Sequence, residues 1–360
     1  MAAITPIPWH QAPRATLAAL RERGSHALLL HGPVGTGKWD LAMSFAHDLL
    51  CERGSPSTTA CGACPSCVLL AAGNHPDLRV VVPEAMAARR PGAAMDSEEA
   101  TEVGAEASSA RAKPSREIKI DQVRELASLT AMSTHRGGCR VIVLAPAESL
   151  NLPAANALLK SLEEPPEETV FLLVSDQMDR CLPTIVSRCA LVRVVAPPRA
   201  IALQWLHAQG LGADAAQRLT EAGGAPLAAM RTDDQALTAD LHASLLHLLR
   251  RGASLEAADV AADVPRTVPI GAAVALFQRW GWDYFAFRTG CALRYHPGDA
   301  ASFEALSRYW TLRAASNWID RLRDLRAVAE HPLNARAAIE GLLLEYIGSI
   351  ASGHERTEES

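Results

Sequence analysis

The run Gly32-Pro33-Val34-Gly35-Thr36-Gly37-Lys38-Trp39 has the glycine spacing and the lysine of a phosphate-binding loop. Glycines let successive backbone N–H groups curl around phosphate oxygens, a following helix N-terminus adds positive charge, and the lysine reaches the outer phosphates. The next position breaks the pattern. Active loops carry Ser or Thr there, because the hydroxyl binds Mg²⁺; Trp39 has none. Its indole either crowds the nucleotide or packs on the helix that follows. The second Mg²⁺ contact normally comes from an acid ending the next core strand. That stretch reads Val141-Ile142-Val143-Leu144-Ala145-Pro146-Ala147-Glu148, with Ala145 and Pro146 at the acidic positions. Glu148 lies beyond them and reads as a solvent-facing residue at a helix start. Two independent contacts to Mg²⁺ are therefore missing, which favours a non-hydrolysing site. Gly32, Gly35, Gly37 and Lys38 remain as a degenerate nucleotide site in which the lysine attracts an anion weakly, so ATP binding is doubtful.

A second constellation is Cys51 with Cys61-Gly62-Ala63-Cys64-Pro65-Ser66-Cys67. Two consecutive C-x₂-C steps and a fourth cysteine upstream can satisfy tetrahedral Zn²⁺ with no open position, a structural rather than a catalytic site. An iron–sulfur cluster shares thiolate ligation, buried free thiols are the bland alternative, and His75 is a substitute for Cys51. The other cysteines, at 139, 181, 189 and 291, are scattered, which does not resemble a disulfide framework. A nucleic-acid-binding knuckle is disfavoured: residues 51–75 offer Arg53 as their basic side chain and no aromatic.

The third candidate is Arg188 in Ser187-Arg188-Cys189. It reads either as a salt-bridged surface arginine or as an arginine finger that stabilises charge at a γ-phosphate held by a neighbouring subunit. The second reading requires an oligomer. Arg180 and Arg193 are nearby alternatives, and Cys189 reads as core.

These residues need elements to hold them. Ala27–His31 is an apolar strand leading into the loop, and Asp40–Leu50 carries Leu41, Phe45 and Leu49 at helical spacing. Further strands are expected at Leu78–Val82, Arg140–Leu144, Thr169–Ser175 and Ala190–Val195. Helices are expected around Ile120, Val123, Leu126 and Ala127, at Leu152–Glu163, and as a short turn at Pro183–Ser187. Strands apolar on both faces, alternating with helices, argue for a parallel α/β sheet. Residues 84–116 have no aromatic, Leu or Ile and nearly balanced charge, the composition of a disordered insertion. After Pro197-Pro198 no strand is expected. A small helical unit with a break at Gly223-Gly224 precedes a larger bundle carrying Trp310, Trp318, Leu322, Leu325 and Val328.

At 360 residues the chain suggests two or three domains. Hydrophobic residues at 49% and charged residues at 21% exclude wholesale disorder. A net charge of −5 excludes a general polyanion binder. The first residues lack the basic and apolar regions of a signal peptide, and the longest apolar runs fall far below the ~18 residues of a membrane span, so a soluble cytoplasmic protein is expected.

Asn156-Ala157-Leu158-Leu159-Lys160-Ser161-Leu162-Glu163-Glu164-Pro165-Pro166, Leu182-Pro183-Thr184-Ile185-Val186-Ser187-Arg188-Cys189 and His75-Pro76-Asp77, with the four-cysteine insertion, resemble the clamp-loader branch of the AAA+ ATPases. In the helical half the resemblance rests on order, length and His331-Pro332-Leu333-Asn334. It implies an AAA+ P-loop core over 1–196, with the zinc module at about 51–67 and the insertion at about 84–116. A helical lid over 197–236, a helical collar over 237–352 and a frayed tail at 353–360 would follow. It further implies a replication role in a pentamer with a δ subunit and three γ or τ motor subunits, which loads a sliding clamp onto primed DNA. Trp39, Ala145 and Pro146 then point to a non-hydrolysing stator presenting Arg188 to a neighbour's ATP site. The alternative is an active γ- or τ-like motor ATPase. Any direct DNA contact of this chain would be weak.

Overall fold

Strands that are apolar along their whole length need cover on both faces, and five of them form one parallel sheet. They are β1 (Ala27–His31), β2 (Leu78–Val81), β3 (Arg140–Leu144), β4 (Thr169–Ser175) and β5 (Ala190–Arg193), in the spatial order β2-β3-β4-β1-β5. The computed structural model describes residues 7–54, 57–87, 114–130, 134–136, 138–231, 237–328 and 334–354. The chain divides into two compact units, Met1–Trp205 with Ala225–Ala228, and Leu206–Gly224 with Ala229–Ser360.

In the first unit the helices are α1 (Gln11–Glu22), α2 (Lys38–Leu50), α3 (Pro65–Ala72), α4 (Glu84–Ala87), α5 (Ile120–Thr130), α6 (Leu152–Glu163) and α7 (Pro183–Val186). Alternation along each strand splits the core in two. Leu28, Leu30, Val141, Val143, Val170 and Leu172 meet Leu17 of α1 and Leu41 and Phe45 of α2 on one face. Leu29, Ile142, Leu144, Phe171 and Leu173 meet Val123 and Leu126 of α5 and Leu158 and Leu162 of α6 on the other. The register pairs Leu28 with Leu172 and His31 with Ser175, so the residues after Ser175 lie alongside Gly32, where the loop begins.

The remaining helices are α8 (Arg199–Ala208), α9 (Ala215–Glu221), α10 (Pro226–Met230), α11 (Ala239–Arg251), α12 (Ala257–Asp263), α13 (Ile270–Arg288), α14 (Ala300–Ser307), α15 (Leu312–Val328) and α16 (Ala335–His354). The core of the second unit is aromatic, with Phe277, Trp280, Tyr284, Phe303, Trp310, Trp318 and Tyr346 fully or almost fully buried. Buried polar tips find partners, as they must: Trp280 Nε1 donates to Tyr346 Oη at 3.2 Å, and Trp318 Nε1 to the Leu342 carbonyl at 2.9 Å. The buried Asp283 carboxylate accepts the backbone N–H groups of Arg294, Tyr295 and His296 at 2.8, 2.9 and 2.6 Å.

The strand positions agree with the sequence reading to within two residues, but the sequence reading omitted α1, α3 and the short α4. Helix α1 buries only Leu17 and Ala18, too narrow a stripe to announce itself, and α3 lies inside the cysteine cluster. Of the segment at about 84–116, read from the sequence as a disordered insertion, the described residues at its two ends pair with each other. Ala85 N–H donates to the Ser115 carbonyl at 3.0 Å, and Ser115 N–H to Glu84 Oε2 at 2.9 Å. Residues 88–113 lie outside the described residues, as do His331, Pro332 and Leu333 and the tail from 355. Among the described residues no helix is long and apolar enough to cross a membrane.

Candidate functional site

The phosphate loop joins β1 to α2. Gly35 and Gly37 have φ of 79° and 83°, the left-handed region that favours glycine. Both are crowded: a Cβ on Gly35 would meet Ala228 Cβ at 2.5 Å, and one on Gly37 would meet the His10 ring at 2.8 Å. Leu227 N–H donates to the Gly35 carbonyl at 3.0 Å. On the N-terminal side the Thr36 carbonyl accepts from Trp9 Nε1 at 2.8 Å and from His10 Nε2 at 2.9 Å. Because a carbonyl only accepts, His10 carries its proton on Nε2. Burial lowers the pKa of His10 and keeps the ring neutral.

Lys38 is almost wholly buried. Its ammonium donates to the Gly32 carbonyl at 2.8 Å and the Pro33 carbonyl at 2.6 Å, and pairs with Asp176 Oδ1 at 2.6 Å. Trp39 is partly buried and packs against the core, the plainer of its two readings. Burial, then Arg193 and Lys38, lowers the pKa of His31 at the end of β1. The lysine of the loop is thus paired with two carbonyls and one carboxylate of this chain.

In the sheet β4 lies between β1 and β3, so the end of β3 at Ala145 and Pro146 stands one strand away from the loop strand. One expectation is corrected here: Glu148 is not solvent-facing. Its Oε1 accepts the backbone N–H groups of Asp176 and Gln177 at 3.0 and 3.2 Å, and its Oε2 is buried. It grips the turn after β4. The sequence reading missed Asp176 altogether. The available signal was an acid directly after a wholly apolar strand, but using it required the strand order.

The four cysteines come together, with sulfurs within 4.8 Å of one another. Cys51 caps the C-terminus of α2, and Cys64 caps the N-terminus of α3. The Cys51–Cys64 and Cys61–Cys67 sulfur pairs are each 4.0 Å apart. A tetrahedron with Zn–S bonds of about 2.3 Å has edges of about 3.8 Å. Three of the sulfurs accept backbone N–H groups, as thiolates do: Cys51 from Cys61 at 3.3 Å, Cys61 from Cys64 at 3.4 Å and Cys64 from Cys67 at 3.4 Å. Backbone N–H groups of Ala63 and Cys64 pull the Cys61 thiol down to about 6. Burial, then the Cys64 side chain, pushes Cys67 up to about 12. Cys51, Cys61, Cys64 and Cys67 therefore fit a closed Zn²⁺ site, in which the metal would supply cross-linking and no chemistry. His75 is not in this cluster; its Nδ1 accepts from Asp77 N–H at 3.1 Å.

Arg188 follows α7. Its Nε donates to Glu163 Oε1 at 2.5 Å, its second terminal nitrogen also reaches Glu163, and Nη1 donates to the Thr184 carbonyl at 3.0 Å. The side chain is about one-third exposed. The alternatives are placed differently: Arg180 reaches Gln177 Oε1 at 3.5 Å, and Arg193 is exposed on β5. Cys189 packs against the core, where burial pushes its thiol up to about 12.

A family model described as DNA polymerase III, delta subunit, matches residues 15–197. A DNA polymerase III subunit delta' of Pseudomonas aeruginosa is 42% identical over 232 residues, covering 63% of this chain and 61% of that one. The subunit delta' of Escherichia coli K12 is 34% identical over 184 residues, covering 51% and 46%. A subunit gamma/tau of Mycobacterium bovis is 32% identical over 166 residues, covering 46% and 24%. The chain thus spans about three-fifths of the first of these relatives and less than half of the others. A solved Thermotoga maritima structure, titled as a DNA polymerase III gamma subunit-related protein, covers 94% of this chain and 99% of its own at 17% identity. Its TM-score is 0.38, too low to bear on the fold.

Proposed function

The chain belongs to the DNA polymerase III delta-subunit family, and from that premise we propose that it is a delta-prime-type subunit of the clamp loader. In this reading it does not hydrolyse ATP. It is a stator within a hetero-oligomer containing δ and γ or τ subunits, and the assembly places a sliding clamp on primed DNA in the cytoplasm. Arg188 completes the ATP site of an adjacent motor subunit, where its charge would stabilise the γ-phosphate as transfer proceeds. Cys51, Cys61, Cys64 and Cys67 hold a structural Zn²⁺. The core, lid and collar divisions expected from the sequence remain part of this proposal.

The observation that carries the reading is the lack of Mg²⁺ ligands at the phosphate loop: Trp39, Ala145 and Pro146 stand where Mg²⁺ would need oxygen ligands. An active motor would need a hydroxyl at 39 and acids at 145 and 146. The test is twofold. The isolated chain should show no ATP turnover above background. A reconstituted loader lacking it should fail to load clamps, and regain loading when the chain is added. Turnover by the purified chain, or full loading without it, refutes the proposal.

A further inference from the structure

We infer that Asp176 is a built-in anion that occupies the phosphate loop in place of a nucleotide's outer phosphate. The idea deepens the non-hydrolysing reading above and rests on it. That reading follows from missing metal ligands; this one concerns a group that is present and fills the site.

A lysine ammonium has three hydrogens to donate. At Lys38 they meet three acceptors, the Gly32 carbonyl at 2.8 Å, the Pro33 carbonyl at 2.6 Å and Asp176 Oδ1 at 2.6 Å. The Lys38 side chain is 2% exposed, so the ammonium has no water shell and its counter-charge must come from the chain. Asp176 supplies it and is fixed in place twice. The β1–β4 register sets Ser175 opposite His31, which puts the next residue beside Gly32. Glu148 then clasps the N–H groups of Asp176 and Gln177.

A polyphosphate entering this loop would have to take the lysine from Asp176. It would then lie against the displaced carboxylate and near the buried Glu148 carboxylate, and like charges in a partly desolvated site repel strongly. The loop therefore holds an ion pair between a buried lysine and a partly exposed aspartate, at 2% and 39% exposure, which ties the start of α2 to the turn after β4. Its latent ligand class, exposed only when the aspartate charge is removed, is a diphosphate or triphosphate.

The test uses the full chain, calorimetry with inorganic pyrophosphate, and Asp176→Asn, which keeps the shape and removes the charge. The wild-type chain should show no saturable binding. Asp176→Asn should bind pyrophosphate at least tenfold more tightly than wild type, and adding Lys38→Met should abolish the gain. If Asp176→Asn does not fold, the double variant Lys38→Met/Asp176→Asn decides. Its recovery of a wild-type urea midpoint supports the ion pair, and its failure to recover overturns it. Equal pyrophosphate affinity of wild type and Asp176→Asn, or a gain that survives Lys38→Met, also overturns the inference and leaves the non-hydrolysing reading standing. ATP turnover by the wild-type chain would remove both.

Discussion

Replacing Arg188 with alanine separates a surface ion pair from a catalytic group acting in trans. The guanidinium is about one-third exposed and Glu163 half exposed, and such pairs contribute about 0.2–1 kcal/mol. The isolated Arg188→Ala chain should therefore unfold within about 1 kcal/mol of wild type in urea. An arginine that stabilises phosphoryl transfer acts on a different scale, with effects of 10³ or more known for fingers supplied in trans. A loss of at least about tenfold at the shared site, or about 1.4 kcal/mol of barrier, is the least that the proposed role demands. The assay is single-site ATP turnover in a reconstituted loader whose other motor subunits have been inactivated, because bulk turnover dilutes a defect at one interface. Glu163→Gln is the control. It removes the charge partner but keeps the arginine, so turnover should stay within about threefold of wild type. If Arg188→Ala leaves site turnover unchanged, or if Glu163→Gln lowers it as much as Arg188→Ala does, the arginine is an ordinary surface ion pair and the finger role is wrong.

Elemental analysis should find about one zinc per chain, and Cys64→Ser should lose it and melt at a lower temperature; a metal-free chain of normal stability would exclude the site. Asp283 gives a pH prediction. Burial alone would raise its pKa, but hydrogen bonds from the His296 ring and the Arg294, His296 and Tyr295 N–H groups outweigh it and hold the carboxyl below its usual range. A depressed folded pKa contributes stability that is present at neutral pH and is lost as pH falls below about 4. Urea midpoints should drop there for wild type and drop less for Asp283→Asn. At pH 7 the same variant should be destabilised by roughly 1.5–3 kcal/mol, because it removes the charge that accepts a cluster of buried hydrogen bonds; a near-neutral result would mean that the loop from Arg294 to His296 does not depend on it.

The sequence was most legible where one force dominates. Arg140–Leu144 and Thr169–Ser175 are buried on both faces, so continuous apolar character marked their ends correctly. The cysteine spacing carried its own geometry, and the four sulfurs meet as expected. Spatial order was the weak point. Alternating strands and helices in a chain do not say which strands are neighbours, so the reading had no means of seeing that the turn after β4 lies beside the loop strand. Asp176 and the grip of Glu148 on it followed from that one unknown. Helix α1 was missed because its signal is tertiary: Trp9 and His10, just before it, matter through the Thr36 carbonyl, a contact that only the folded chain makes.

The placement of β1 between β4 and β5 also bears on how the polypeptide is made. Ala27 pairs with Phe171, and Leu28 with Ala190, so the first strand off the ribosome waits for partners synthesised about 140 residues later. At roughly 5–20 residues per second, that is on the order of ten seconds of unsheltered apolar chain. Fast translation over residues 32–170 would shorten that exposure.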